Sequence, residues 1–400
     1  MSLALDPPPA LLHDAGISGA PTETATEGGL RYFVNEFWTA GQRQAHRLHE
    51  VSYRACFKPQ LPEFFIARLA APGATLYDPF SGRGTTALQA ALMGRRPAAS
   101  DINPLGAMLL APRLAPPTLA DLRARLAELD LPRAVAAADA PAELLAFFHP
   151  DTLRQIAALR AHLLQRSARG TLDGVDAWLR MVALNRLTGH SPGFFSVYTL
   201  PPNQATSPAA QFRINAARGQ VPPPRDVAAL ILRKSAALLA DGPPPPHPAA
   251  LLMTRAAHDT PALAAGSVDL IVTSPPFLDV VDYRGDNWLR CWFAGIDPEG
   301  VALARHRDLG AWEGFVRGAF AEFARVLRRG GMVAFEVGEV RRGRVLLERH
   351  VAAAIAGLPF RLLGVMLNRQ RFTKTAQCWG VANNAGGTNS NRIVLAERAA

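Results

Sequence analysis

The string Asp78-Pro79-Phe80-Ser81-Gly82-Arg83-Gly84-Thr85-Thr86 places an acid, two glycines and several hydroxyls where an apolar strand meets a helix. Glycines let the backbone approach a ligand closely, and a helix N-terminus favours negative charge. The spacing differs from G-x-G-x-x-G, and no Lys follows the second glycine, so neither a dinucleotide loop nor a Walker A loop is indicated. Asp101 ends the next short strand, where an acid can hydrogen-bond a ribose diol. A tight turn with a helix-capping acid is the plainer alternative. A second string, Thr273-Ser274-Pro275-Pro276-Phe277, directly follows the apolar run Val268–Val272. Its two prolines fix φ and remove two amide donors. The turn then offers carbonyl oxygens, a hydroxyl and an aromatic face, a set able to accept both hydrogens of an exocyclic base amine. The alternative is a stiffened strand exit with a core Phe.

Together these strings resemble the amino-methyltransferases of DNA, which use S-adenosylmethionine to methylate N4 of cytosine or N6 of adenine. The Ser-Pro-Pro-aromatic form is typical of the N4-cytosine enzymes. The resemblance covers about 46–112 and 251–400. It implies a class I methyltransferase (Rossmann-like) α/β fold. It also implies that Asp78 to Gly84, with Pro79, Phe80, Thr85 and Thr86 in the same string, wrap the methionine part of the cofactor. Asp101 would hold the ribose hydroxyls, Ile102 the adenine face and Asp259 the adenine amine. Upstream, Tyr53-Arg54-Ala55-Cys56-Phe57-Lys58-Pro59 resembles the family's lead into its first helix, with Tyr53 and Phe57 packed on the cofactor; a core aromatic pair is the alternative. Ser274, Pro275, Pro276 and Phe277 would be catalytic. Ser274 Oγ and the Pro275 carbonyl would accept from the amine while the base stacks on Phe277. One departure stands out: many Ser-Pro-Pro enzymes place that motif before the glycine loop, and here the order is reversed. The pocket tolerates permutation because it depends on geometry, but target-recognition elements do not carry over. The same pocket acting on adenine, or on structured RNA, stays open, as does a DNA-binding protein without turnover.

These residues need a sheet to hold them. Strand, Gly-rich turn, helix and strand alternate from about 60 to 112, the start of a doubly wound sheet. Helical spacing dominates from about 118 to 240, including Leu153, Ile156, Leu159 and Leu163. Pro243 to Pro246 mark a stiff boundary, and alternation resumes near 251. The amphipathic helix around Trp312–Leu327 is expected to stop at Gly330-Gly331. The count is about seven strands, split by a helical insertion after the second. The expected divisions are a disordered tail 1–28, the cofactor half of the catalytic domain 29–112, the insertion 113–250 as candidate target recognition, and the catalytic half 251–400. Two stretches rich in Asn, Gln, Arg and aromatics are candidate base readers: Asn185 to Gln211 and Asn368 to Asn391. Solvated loops are the alternative for both.

Composition sets the outer limits. The chain has 400 residues, 49% hydrophobic, which excludes a largely disordered protein. Lys plus Arg number 43 against 33 Asp plus Glu, a net charge of +10, and only Lys58, Lys234 and Lys374 are lysines. An arginine-rich basic chain attracts polyanions, and the resemblance implies that the partner is double-stranded DNA. A GC-rich genome would leave the same signature. No apolar run is long enough for a membrane helix, and no signal peptide is visible. Cys56, Cys291 and Cys378 lie far apart, which excludes a disulfide scaffold and zinc spacing and suggests the cytoplasm. No metal cluster is expected.

Overall fold

The computed structural model describes residues 16–17, 19–39, 45–54, 56–134, 140–199, 205–276, 278, 283–301, 308–340, 344–369 and 390–399. The chain opens with two strands, β1 (Glu23–Glu27) and β2 (Leu30–Asn35). Helix α1 (Gln60–Leu69) leads into β3 (Thr75–Asp78), α2 (Thr85–Leu92) and β4 (Arg96–Ser100). Six helices follow: α3 (Leu105–Leu114), α4 (Leu119–Leu129), α5 (Pro150–Ala168), α6 (Gly174–Arg186), α7 (Pro208–Arg218) and α8 (Val227–Leu238). The alternating pattern then returns with β5 (Leu251–Met253), β6 (Val268–Thr273), α9 (Tyr283–Ala294), α10 (Leu309–Val326) and β7 (Leu327–Val337). A short hairpin, β8 (Glu339–Val340) with β9 (Val345–Leu346), precedes α11 (Leu347–Ile355), β10 (Phe360–Arg369) and β11 (Ser390–Arg398).

The main sheet has the order β1-β2-β10-β11-β7-β6-β3-β4-β5. Strands β5, β4, β3, β6 and β7 run parallel, and β11 enters antiparallel between β7 and β10. The seven expected strands form one contiguous block of it, but the sheet has nine. Strands β1 and β2 fall in or next to the stretch expected to be a tail. The hairpin turns through Gly28-Gly29, both at positive φ, and β2 pairs parallel with β10. Strand β1 is exposed throughout, so it carries no alternating apolar signal. Gly330-Gly331 also differ from expectation. Helix α10 ends at Val326, and the glycines lie inside β7, where the β6 pairing shifts register.

Two apolar layers cover the sheet. Phe320, Phe323 and Trp312 of α10 pack with Ile271, Val333 and Phe335 on one face. Phe33, Phe64 and Phe65 pack with Leu270, Val272 and Ala334 on the other. The alternation of Leu270, Ile271 and Val272 between the layers is the two-residue period of a strand buried on both faces. The helices between β4 and β5 share a third cluster with the sheet's own helices, in which Leu88 and Leu109 meet Trp178, Leu179 and Ile231. Asp121 completes a capping box with Thr118, and Asp173, Ser207 and Asp226 cap the following helices. No helix among the described residues is long and apolar enough to cross a membrane.

Gly84 is the backbone position with least freedom. It sits at φ 78°, and a Cβ there would lie 2.6 Å from Leu110 Cδ1. We expect Gly84→Ala to destabilise the fold by about 1–3 kcal/mol, through left-handed strain plus overpacking. Chemical denaturation checks this, and an unchanged midpoint would refute it.

Candidate active site

Strand β3 is flanked by β4 on one side and β6 on the other. The chain thus changes direction across the sheet between β3 and β6. In open α/β sheets, ligands sit outside the carboxyl ends of strands at such a switch point. Strand β3 ends at Asp78 and β6 ends at Thr273, so the two strings singled out by sequence flank one crevice. They touch directly: Thr273 Oγ1 donates to Asp78 Oδ1 at 2.6 Å. The Phe80 amide donates to the same oxygen at 3.1 Å. Burial, opposed by these bonds, pushes the Asp78 carboxyl up to about 7.

The glycine loop folds back on Asp101. Gly82 N donates to Asp101 Oδ2 at 2.7 Å, and Asn103 N donates to Oδ1 at 2.8 Å. Burial raises this carboxyl too, against those two bonds. Each carboxylate oxygen has a further lone pair for a ligand hydroxyl. Gly82 stands at φ 50°, and a Cβ there would come within 3.3 Å of Cys56 Sγ and 3.6 Å of the Tyr53 ring. Tyr53 therefore lies against the loop. Phe57 is half-buried against the aromatic layer of Phe64 and Phe65, and its carbonyl accepts from Arg83 of the loop. Ile102 is half-buried directly after Asp101.

Arg83 explains how 51–57 is held. Its guanidinium donates to Val51 O at 2.9 Å and Phe57 O at 3.1 Å, and its Nε to Thr85 Oγ1 at 3.1 Å. Arg113 donates in turn to the Arg83 carbonyl and, at 3.1 Å, to Leu48 O. Sequence reasoning counted Arg83 only within the loop, because a buried arginine satisfied by carbonyls leaves no motif of its own. Thr85 and Thr86 are buried, and Thr86 Oγ1 donates to Val272 O at 2.9 Å. These threonines tie α2 to the loop and to β6. Pro79 is buried behind the loop, and Phe80 packs on Phe315 of α10 with centroids 5.4 Å apart. Asp259 follows β5, in the segment where Arg255 O accepts from Ser100 Oγ at 2.8 Å, next to Asp101; its side chain is 55% exposed and pairs with Arg255 at 3.2 Å. No described hydrogen bond joins it to the loop.

On the β6 side, Ser274 is half-buried and Pro275 buried. Trp312 Nε1 donates to the Pro276 carbonyl at 2.9 Å, which anchors the turn on α10. Phe277 lies outside the described residues. Glu336 of β7 joins the site unforeseen. It is 9% exposed and accepts from Asn391 Nδ2 at 2.6 Å, and burial raises its carboxyl. A lone acid in the apolar strand Met332–Val337 was the signal available for it.

Of the candidate base readers, Asn203, Gln204 and residues 370–389 lie outside the described residues. Asn185, Phe194 and Phe195 are buried. Asn185 Oδ1 accepts from Ser52 N at 2.7 Å, and Arg186 lies on the Phe194 ring at 4.0 Å. These side chains hold the insertion to the segment over the loop. Trp288, Leu289 and Phe293 of α9 also join the insertion's apolar cluster. No cluster of metal-ligating side chains occurs among the described residues.

The described residues fit a cationic, ribose-bearing ligand. Asp78 and Asp101 share one edge, and the charge of Asp101 helps raise Asp78. The nearby Arg83 guanidinium points away, to carbonyls.

No protein-family model matches this chain, and no curated protein matches it. Among solved structures it is similar to TrmN from Thermus thermophilus, at 15% identity and a TM-score of 0.32, over 88% of this chain and 52% of TrmN. It thus spans about half the length of TrmN. It is similar to geranyl diphosphate C-methyltransferase from Streptomyces coelicolor A3(2), at 10% identity and a TM-score of 0.33, over 86% and 76% of the two chains. It is also similar to the rRNA methyltransferase aviRa from Streptomyces viridochromogenes, at 15% identity and a TM-score of 0.30, over 87% and 88%. The latter two are methyltransferases by name, but likeness this loose leaves function to the chain's own residues.

Proposed function

We propose that this protein is an S-adenosylmethionine-dependent methyltransferase that acts on N4 of a flipped-out cytosine in double-stranded DNA. The observation that carries this is the Asp78–Thr273 contact, which joins the glycine loop to the Ser-Pro-Pro turn across the sheet's switch point. The cofactor supplies an electrophilic methyl group on a cationic sulfur. Asp101, held by the Gly82 and Asn103 amides, would orient its ribose, and Asp78 would supply negative charge toward its cationic end. The cytosine amine is a weak nucleophile because its lone pair is delocalised into the ring. Ser274 Oγ and the Pro275 carbonyl accept its two hydrogens and draw the nitrogen toward tetrahedral geometry. Proximity and oriented dipoles then lower the barrier without a covalent enzyme intermediate. A duplex hides this amine in the stack, so the base must leave it to reach Ser274.

The insertion 113–250 is the proposed target-recognition unit. Residues 177–225 hold five arginines and no Asp or Glu. Arg213 and Arg218 are exposed, and Arg218 stacks on Tyr198 at 4.1 Å. Exposed arginines suit a phosphate backbone.

The test is to incubate the protein with labelled S-adenosylmethionine and either genomic DNA or total RNA from an unmethylated host. The products are digested to nucleosides and identified by mass. N4-methylcytosine in DNA is expected. N6-methyladenine would move the target base, and label only in RNA would move the substrate class. No label in either would overturn the proposal.

Asp78 adds a pH signature. Its folded pKa is raised, so protonated Asp78 stabilises the free protein below the ordinary carboxylate range, and that contribution is lost as pH rises through about 7. A bound cation favours the ionised form, so binding releases a proton below that pH. Affinity for S-adenosylmethionine should then climb by up to about tenfold per pH unit toward neutrality and level off above it. The sulfur-neutral product S-adenosylhomocysteine should show a shallower slope. Calorimetric titration of both ligands across pH checks this, and parallel slopes would refute it.

A further inference from the structure

Arg186 ends α6 and Arg233 stands on α8, and their guanidinium groups converge on the turn Ser191-Pro192-Gly193. Arg233 donates to the Pro192 carbonyl at 3.3 Å. Arg186 donates through Nε to Asn185 O at 2.9 Å and lies over the Phe194 ring at 4.0 Å. A Cβ at Gly193 would stand 3.5 Å from Arg233 Nη2 and 3.8 Å from Arg186 Nη1, so both groups edge the same gap. The turn itself is pinned. Phe195 N donates to Arg186 O at 2.8 Å, Phe194 N to Ser191 O at 3.1 Å, and Gly193 N to Ser191 Oγ at 3.3 Å. Gly193 is not at positive φ, so its backbone conformation does not demand glycine. Its missing side chain leaves the gap between the two cations open.

Among the described residues neither arginine is ion-paired. Glu50 is the acid on this side, and it is already shared by Arg47 at 3.3 Å and Lys234 at 3.4 Å. Asp241 is turned to the Arg47 amide at 2.7 Å. Burial, then the charge of Arg233, lowers the Arg186 guanidinium to about 10. Like charges gathered without a counter-ion are costly, and an anion set between them removes that cost. From this we infer that Arg186 and Arg233 clamp one phosphodiester of a bound DNA duplex at Gly193. Guanidinium forks match phosphate oxygens, and each fork is already fixed by a contact of its own, so little freedom is lost on binding. The place suits the reaction. Asn185, the chain neighbour of Arg186, accepts from Ser52 N at 2.7 Å, and Tyr53 follows against Gly82 of the cofactor loop. A backbone held at Arg186 is thereby positioned beside the segment that covers the crevice. The inference deepens the proposed DNA reading and rests on it for the identity of the polymer.

The experiment is equilibrium binding of the whole protein to a short fluorescent DNA duplex over a range of KCl, without S-adenosylmethionine. The logarithm of affinity falls with the logarithm of salt in proportion to the phosphates neutralised. Arg233→Gln, at an exposed position, should lower affinity roughly 5- to 10-fold at about 0.1 M salt and reduce the slope by about 0.9. Arg186→Gln should do the same. The double variant should lose no more slope than either alone, because the two share one phosphate. Gly193→Asp sets a carboxylate in the gap and should lose that slope with both arginines in place, which keeps the test decisive if Arg186→Gln fails to fold. Arg329→Gln removes the same charge at the amino end of β7, away from the crevice, and should leave the slope unmoved. A wild-type slope in Arg233→Gln or Gly193→Asp, losses that add in the double variant, or an equal loss in Arg329→Gln overturns the clamp. A slope change on duplex RNA alone overturns its assignment to DNA. If the protein binds DNA with these changes but methylates no nucleic acid, the proposed activity fails and the clamp stands. If it methylates DNA with every slope unmoved, the clamp fails alone, and no binding to any duplex overturns both.

Discussion

Ser274→Ala should lose roughly 10²- to 10³-fold in kcat while binding S-adenosylmethionine as tightly as the parent protein. In the proposed mechanism the hydroxyl is the side-chain acceptor that aligns the amine, and its contribution is made in the transition state. Its removal leaves Thr273 on Asp78 and Trp312 on the Pro276 carbonyl, so the turn keeps its anchors. Nor does Ser274 belong to the Gly82–Asp101 contact that shapes the cofactor side. A rate assay with calorimetry of cofactor binding reads the two effects apart. Undiminished turnover would sink the catalytic assignment, and a matching loss of cofactor affinity would place Ser274 on the cofactor instead.

Asp101→Ala should weaken cofactor binding roughly 10- to 100-fold, the range for loss of hydrogen bonds to a charged group. DNA binding should change little, because the exposed Arg213 and Arg218 belong to the insertion. Asp101 also accepts from Gly82 and Asn103, so the alanine variant loosens the loop as well as deleting the ribose acceptor. Asp101→Asn retains one acceptor and separates the two effects. It should keep the melting temperature closer to wild type and still bind the cofactor weakly. Equal affinity in wild type and both variants would place the ribose elsewhere.

Much of this site is carried by short-range chemistry. The Asp78–Thr86 and Ser274–Pro276 strings sit at strand ends because apolar runs stop there and glycine or proline turns the chain. The seven strands read from sequence are all present, most of them because a short apolar run is buried in the sheet. The outer hairpin was not legible, since an exposed edge strand needs only pairing with a neighbour, and pairing leaves no local pattern. Tyr53 and Phe57 looked equivalent in sequence, and the fold separated them, one against Gly82 and the other among the aromatics under the sheet. Asp259 and Glu336 show the same limit. An acid's role depends on what faces it across the chain, and the fold left one paired with Arg255 at the surface and buried the other against Asn391.

The sequence by itself determined the chemical parts: an acid and glycine loop, a second acid on the next strand, and a Ser-Pro-Pro turn with its carbonyls. Only the tertiary structure decided that these parts form one crevice, because the parallel pairing of β3 with β6 brings residues 195 positions apart within hydrogen-bond distance. Local propensity encodes where a strand ends, but which strands become neighbours is settled by burial summed over the whole sheet.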